Sequence, residues 1–338
     1  MYDPGTLYVD PILTNFSVGY KDQALYGERI FPITPVNTQS GRYRVFDRSN
    51  WLIFESRRAP GTVANEIVGA KWSEDTFETR ERSLQVPVLD EERQALTSQG
   101  GLANPVFGGA LQLNPELDAT TLATRSLLLA HELAVSSLVR NTATYPGANT
   151  VTLAGTQQWD DYTNGVTSVS NPVANIQTAM RAVYQLTGRY PNTMIVPALG
   201  MQYIENHPRI VDRFKNFNLS IPDAFKTLTG FDGTVLPVDS HYNAANNLDA
   251  TQNIVPFWGK DVWLGIVDPV PSLNTFTFGK TFSQNYPDGS TRPVDRWREE
   301  ARKADIVRVS FKYDLKVVAS GAGYLIQTAF STNAWGNF

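Results

Sequence analysis

NPELDATTLATRSLLLAHELAVSSLVRNTAT, residues 114–144, is the stretch on which the reading of the whole chain turns. No Gly or Pro occurs from Glu116 to Thr144, a length that as one helix measures roughly 40 Å at about 1.5 Å per residue. Asn114 can cap the first free N–H groups, Pro115 suits the first helical position, and Glu116 and Asp118 place negative charge at the positive end of the dipole. Arg140 lies near the other end, where Tyr145, Pro146 and Gly147 stop the helix. Leu117, Leu128, Val135 and Leu138 fall on one face, with Leu122, Leu129 and Leu133 widening the stripe. The opposite side carries Thr120, Arg125, Ser136 and Ser137, which fits contact with solvent or a neighbouring subunit. His131, inside the helix, reads as a packed or interface histidine.

On the N-terminal side, residues 1–46 are rich in Pro, Tyr and small polar residues, with Leu13, Phe16, Ile30 and Phe31 scattered without a period. They predict an extended arm with one short helix near Ala24–Leu25, lying on the rest of the chain or on another copy. Gly41 to Asp47 alternates as a strand. Residues 47–88 then mix dense charge with large apolar side chains. Trp72, Glu74, Thr76, Glu78, Arg80 and Arg82 share one side of an alternating second limb. The pattern predicts a long two-stranded hairpin with Ala59, Pro60 and Gly61 near its turn. Alone in water such a hairpin is marginal, so it needs a partner surface. The candidate inter-subunit residues are therefore Trp51, Phe54, Arg57, Arg58, Glu66, Lys71, Trp72, Glu74, Phe77, Glu78, Arg80 and Arg82.

Still ahead of the long helix, Asp90 caps a short helix through Leu96, and a Gly-rich loop at 98–113 leads into it. After the long helix, Asn171 and Pro172 open a second amphipathic helix that ends at Gly188, followed by a buried strand at 192–197 and a helix at 199–206 broken by His207 and Pro208. Residues 251–267, 275–282, 306–318 and 324–330 read as strands, with a turn at Asp288 and Gly289. The fold class is α+β.

Composition narrows the function. A chain of 338 residues with net charge −4 and pI near 5.5 is no protein whose main task is gripping nucleic acid through a basic face. With no cysteine there is no disulfide framework, thiolate nucleophile or Cys-based metal site. The first thirty residues have no apolar run of the signal-peptide kind, and the long helix is interrupted by His131 and Glu132, so the expectation is a protein folded in the cytoplasm with no membrane span.

Taken in order, the chain resembles the major capsid proteins of tailed bacteriophages, the Hong-Kong-97-type fold. GRYPNTMIVP at 188–197 and HPRIVDRFK at 207–215 resemble the first helix–strand–helix unit of that family's axial domain. FWGKDVWLGIVDPVPS at 257–272 resembles its later strands, and DLKVVASGAGYLIQTAF at 314–330 the final strand of the peripheral domain. The resemblance implies an N-terminal arm at 1–46 and an E-loop hairpin at 47–88. It implies a peripheral domain at 89–170 with its spine helix at 114–144, an axial domain at 171–318 whose strands connect to the peripheral domain, and a last peripheral strand at 319–338. It also implies hexamers and pentamers closing into an icosahedral head around double-stranded DNA bound without sequence preference, found in the virion and assembled in the host cytoplasm. The hairpin would lie across the neighbour's spine, and loops within 216–250 would line the centre of each ring. Portal and decoration proteins are further partners of the family, and a scaffolding protein is expected to be separate or absent. Some members cross-link through a hairpin lysine; Lys71 is the one lysine of this hairpin, nothing else of that site is present, and no cross-link is expected. A nanocompartment shell of the encapsulin type is the alternative, disfavoured by the Pro-rich arm.

No enzyme, cofactor or metal site is legible. His131, His207 and His241 have no ligand spacing. Asp239, Ser240 and His241 hold the residue types of a catalytic triad, but neighbours on extended backbone point to opposite sides. Gly279-Lys280-Thr281 lacks the earlier glycine of a phosphate loop and lies in a strand context. The run Arg296, Arg298, Arg302 and Lys303 is interleaved with Glu299 and Glu300. It reads as a solvated or inter-subunit face, with a Glu299–Lys303 pair if helical.

Overall fold

In a computed structural model, residues 8–20, 25–45, 73–91, 114–163, 168–214, 221–245, 254–270 and 275–331 are described, with scattered positions such as Ile53, Arg57, Arg58, Val63 and Arg93. In chain order the elements are β1 (Tyr8–Val9), α1 (Pro11–Gly19), α2 (Gly27–Ile30), β2 (Ile33–Val36), β3 (Ser40–Val45), β4 (Ser73–Glu78), β5 (Arg80–Leu89) and α3 (Pro115–Val139). There follow β6 (Thr150–Thr152), α4 (Pro172–Thr187), β7 (Thr193–Pro197), α5 (Ala198–Glu205), α6 (Pro208–Phe214), α7 (Ile221–Thr229), β8 (Thr234–Val238), β9 (His241–Asn243) and β10 (Ile254–Pro256). The chain continues through β11 (Val262–Gly265), β12 (Gly279–Gln284), β13 (Val294–Glu299), β14 (Ala304–Val317) and β15 (Gly323–Gln327).

Two sheets carry the molecule. One has the order β1-β13-β14-β12-β2 with β5 also on β14, and the other the order β6-β15-β11-β7-β8. Helix α3 spans two cores. Ala119, Ala123 and Leu127 pack with Val88, Val294, Val307, Val309 and Phe311 of the first sheet. Val135 and Val139 join the larger core built around β7, β11, β15 and α4. Its cap is as expected, with the Asn114 side chain accepting from the N–H groups of Glu116 and Leu117. The helix ends at Val139, earlier than expected, and Arg140 turns away to bind Asp261 (2.7 Å) and the Phe257 carbonyl (3.2 Å).

The buried side of α3 includes Leu128 and Val135, as the leucine stripe predicts, but extends differently round the helix. Thr120, Thr124 and Ser136 are buried, whereas Leu122 is 58% and Leu133 42% exposed. Small residues let the helix approach the sheet and α1 closely, and their hydroxyls are satisfied on the spot. Thr120 donates to the Glu116 carbonyl (2.8 Å), Ser136 to the Leu133 carbonyl (3.1 Å), and Thr124 meets Ser17 of α1 (3.1 Å). By length and mean hydropathy this helix also passes for a membrane span, contrary to the sequence expectation, but half of that window is buried inside the protein. It is the core helix of a folded body.

The N-terminal arm lies on its own chain. Its helices are α1 and α2, not one turn near Leu25. Asp10 accepts from the N–H groups of Ile12 and Leu13, and Pro11 starts α1. β1 pairs antiparallel with β13 and β2 parallel with β12. Helix α4 runs from the Asn171 cap to Gly188, which adopts φ 68° as its left-handed terminus.

Candidate functional site

The ribbon β3–β4 forms the described base of the hairpin, and its register joins Val45 to Ser73 and Ser40 to Glu78. Its first limb therefore begins at Ser40, ahead of residue 47. The second limb leaves the hairpin after Glu78: from Arg80 to Leu89 it is β5, a ten-residue strand paired with β14 of its own chain. Thr79 marks the change, its N–H donating to the Gln39 carbonyl (2.8 Å) and its side chain buried.

Phe77 does not face a neighbour. It is buried and stacks on Phe282 (centroids 4.6 Å apart, planes at 14°), with Tyr43 on the same ring at 5.1 Å. Gly41 makes room, since a Cβ there would meet the Phe77 ring at 2.8 Å. The Tyr43 hydroxyl donates to Asp75 (2.8 Å); burial raises the Tyr43 pKa, and that bond holds the Asp75 carboxyl below its usual value.

The other face of the ribbon is a band of exposed charge. Arg42 pairs with Glu74 (3.4 Å) and Glu78 with Arg80 (3.5 Å). The Glu78 backbone N–H donates to Asp314 (3.0 Å), tying the base to β14. Arg82 belongs to the sheet, its guanidinium 4.1 Å from the centre of the Tyr313 ring. Arg57 and Arg58 are exposed, and so are Ile53, completely, and Val63, at 86%. Trp51, Phe54, Glu66, Lys71 and Trp72 lie outside the described residues, as do Ala24 and the whole of the Gly-rich loop at 98–113.

Two adjacent side chains of α3 hold the arm to the spine. Glu132 accepts the backbone N–H groups of Tyr26 (3.0 Å) and Gly27 on one oxygen and the Trp258 indole N–H (2.7 Å) on the other. Burial raises its pKa, opposed by these three bonds. Beside it, the Thr281 hydroxyl donates to the Phe31 carbonyl (2.8 Å) and so accepts from His131 Nε2 (3.2 Å), which fixes the neutral tautomer. Burial, with Arg292 and Arg82 adding positive field, pulls the His131 pKa down to about 3. Apart from helical position, sequence held no sign of this clasp; its partners are up to 150 residues away.

The basic run near the C-terminus is divided: Arg296 and Arg298 reach carboxylates of other elements, while Arg302 and Lys303 are exposed, as a solvated face requires. It is strand β13 followed by a turn in which Lys303 has φ 47°, so Glu299 pairs with Arg302 (3.4 Å) and not with Lys303. Arg296 meets Glu116 (2.7 Å) and Asp305 (3.3 Å), Arg93 joins the same two carboxylates, and Arg298 grips Asp90 with both terminal nitrogens. This cluster anchors the start of α3 to the sheet.

Residues weighed for catalysis stay apart from one another. Asp239 and His241 are exposed while Ser240 between them is buried, as extended backbone requires. Lys280 is buried in β12, its ammonium donating to the carbonyls of Ser272 (2.6 Å) and Leu273 (3.1 Å), and burial lowers its pKa to about 8. Among the described residues no group of three or more His, Asp or Glu side chains is placed to hold a metal ion.

The fold has known counterparts. It is similar to a phage-related protein from Bordetella bronchiseptica (TM-score 0.72, 23% identity, covering 95% of this chain and 97% of the other). It is also similar to the capsid of cyanophage P-SCSP1u (TM-score 0.54, 9% identity, 91% and 89%). The class is thus a mixed α+β protein with the fold of phage capsid structures. More particularly, the chain is 24% identical over 323 residues to the major capsid protein of Burkholderia phage BcepMu, covering 94% of this chain and 95% of that protein. It is 25% identical over 284 residues to the major capsid protein of Pseudomonas phage JBD67, covering 81% and 82%. No protein-family model matches it.

Proposed function

We propose that this chain is the major capsid protein of a tailed phage, building hexamers and pentamers of a Hong-Kong-97-type icosahedral head around double-stranded DNA. The observation that carries the reading is its likeness to the BcepMu major capsid protein across 94% of the chain. Both curated relatives are phage proteins, which favours a phage head over a cellular nanocompartment.

In this reading the β3–β4 ribbon is the base of the E-loop, α3 is the spine, the six-stranded sheet belongs to the peripheral domain and the five-stranded sheet with α4–α7 is axial; β15, expected as a last peripheral strand, then belongs to the axial sheet, and β12–β14, expected within the axial segment, to the peripheral one. The hairpin projects Ile53 and Val63 from a base whose own apolar residue, Phe77, is already spent inside the chain. Exposed aliphatic residues on such an arm gain about 25 cal/mol per Å² when a neighbouring subunit covers them. The alternating charges of Arg42, Glu74, Glu78 and Arg80 set register more than strength. Each copy gives one arm and receives another, so the ring closes head to tail, and the number of such contacts holds the shell. The chain's work is structural, with no catalytic step, and the packaged DNA is held without being pinned, in keeping with the net charge of −4.

Electron microscopy of the purified chain, with nuclease-protected DNA measured in particles from infected cells, is the test. Closed shells with protected DNA are expected; a compact monomer at all concentrations refutes the proposal.

A further inference from the structure

Strand β5 leaves an edge of the six-stranded sheet open: among the described residues β14 is the one strand paired with it. The register fixes which way its backbone groups point. Even-numbered residues of β14 bond to β13 and β12, because at the ends of those ladders the Ser310 N–H donates to the Pro293 carbonyl (3.1 Å) and the Val318 N–H to the Phe278 carbonyl (2.8 Å). Odd-numbered residues of β14 therefore bond to β5, where their partners are Arg80, Arg82, Leu84, Val86 and Val88. The Asp90 N–H on the Lys303 carbonyl (3.1 Å) continues that series. The N–H and C=O groups of Glu81, Ser83 and Gln85 point the other way, into the open edge. Pro87, next in the outward series, has no N–H, and Thr79, before it, gives its own to the Gln39 carbonyl (2.8 Å). The open length is thus Glu81 to Gln85, in line with β3, which covers the same side of the chain as far as Thr79.

All five of these residues are exposed, Leu84 to 41%. An unpaired edge is a template for another strand, and this one is complementary to itself. In an antiparallel pair centred on Ser83, Glu81 meets the partner subunit's Gln85 and Ser83 meets the partner subunit's Ser83, about six hydrogen bonds in all. Leu84 then lies against the stem of the partner subunit's Arg82, which takes an exposed aliphatic side chain out of water. Glu81 brings no unmatched charge, being paired with Lys312 (3.6 Å). Other two-fold registers fail. Centring on Glu81 or Arg82 sets like charges against each other, and centring on Leu84 or Gln85 sets Glu81 or Ser83 against the partner subunit's Pro87, which has no N–H to give.

We propose that the Glu81–Gln85 edge of β5 pairs antiparallel with the same edge of a second copy, across a two-fold axis at Ser83. Its place rests on the shell reading: the hairpin arms close each ring head to tail, whereas this contact is isologous and joins one ring to the next.

The test compares dilute subunits with the particles they form. Residue-resolved hydrogen exchange is expected to find Glu81, Ser83 and Gln85 at least tenfold slower in particles than in the dilute subunit, with Arg82 and Leu84, bonded to β14, slow in both. Ser83→Cys, the only thiol in a chain without cysteine, is expected to give a disulfide-linked dimer in oxidised particles, since no other position faces itself. Ser83→Pro deletes one outward N–H and none bonded to β14, so it is expected to keep the parent's thermal unfolding and to lose assembly. Particles in which the three amides stay fast overturn the edge pairing and leave the phage-head reading standing, whereas a chain that never assembles overturns both. Slow amides in particles without the Ser83→Cys dimer overturn the two-fold in favour of a strand from elsewhere. Slow amides in the dilute subunit show the edge covered by its own chain, and normal particles from Ser83→Pro show it unused; either result overturns the proposal.

Discussion

Acid sensitivity tests the clasp between arm and spine. His131 is enclosed, neutral, and held with its pKa near 3 against an ordinary 6.5. In the unfolded chain it binds a proton below its ordinary pKa, and in the folded chain only near pH 3. Between these values the unfolded state therefore carries the extra proton, and stability falls as pH falls. The slope for one group is about 1.4 kcal/mol per pH unit, so lowering the pH from 7 to 5 removes about 2 kcal/mol through His131 alone. Arg292 and Arg82 face the ring with positive charge and add to the cost of protonation. Glu132, next in sequence, opposes it: its raised pKa makes it take up a proton early in the folded state, so its own contribution improves as pH falls toward the ordinary carboxylate value. His207, lowered to about 4 by burial, acts in the same direction as His131 in parent and variant alike and cancels in their difference. The assay is urea unfolding of the parent and of His131→Gln at pH 7 and pH 5. Glutamine can still donate to Thr281 and does not titrate. The parent is expected to lose about 2 kcal/mol more than the variant over this interval. Equal losses in the two proteins refute the assignment of a buried neutral histidine.

Two further outcomes concern the hairpin. Phe77→Ala removes the ring stacked on Phe282 beside Gly41 and should cost about 3–5 kcal/mol in the chain's own unfolding, with faster tryptic cutting at Arg57 or Arg58. An unchanged melting temperature would show that Phe77 does not anchor the ribbon. Ile53→Asp, at a fully exposed position, should leave unfolding within about 0.5 kcal/mol of the parent while particle yield in electron microscopy collapses. Normal shells from this variant would remove Ile53 from the inter-subunit contact.

Local signals carried their own answers into the structure wherever chemistry within a few residues decides the outcome. The Asn114-Pro115 start of α3, the Asn171 to Gly188 span of α4 and the all-buried strand at 193–197 needed only capping side chains, a terminal glycine and an apolar run. The absence of thiol chemistry and the lack of an overall basic character followed from composition. Tertiary structure alone decided how far round α3 the buried face extends beyond Leu128 and Val135. A stripe of leucines predicts burial only when nothing competes for the helix surface. Here the sheet and α1 demanded close approach, so Ala119, Thr120, Ala123 and Thr124 went in and Leu122 and Leu133 stayed out. It alone withdrew Phe77 from the hairpin's outer surface, because Phe282 is brought to it from 205 residues further along the chain, and it alone matched Arg296 and Arg298 to carboxylates of other elements. Sequence spacing encodes periodicity along one element, whereas packing depends on what the rest of the chain delivers to its side.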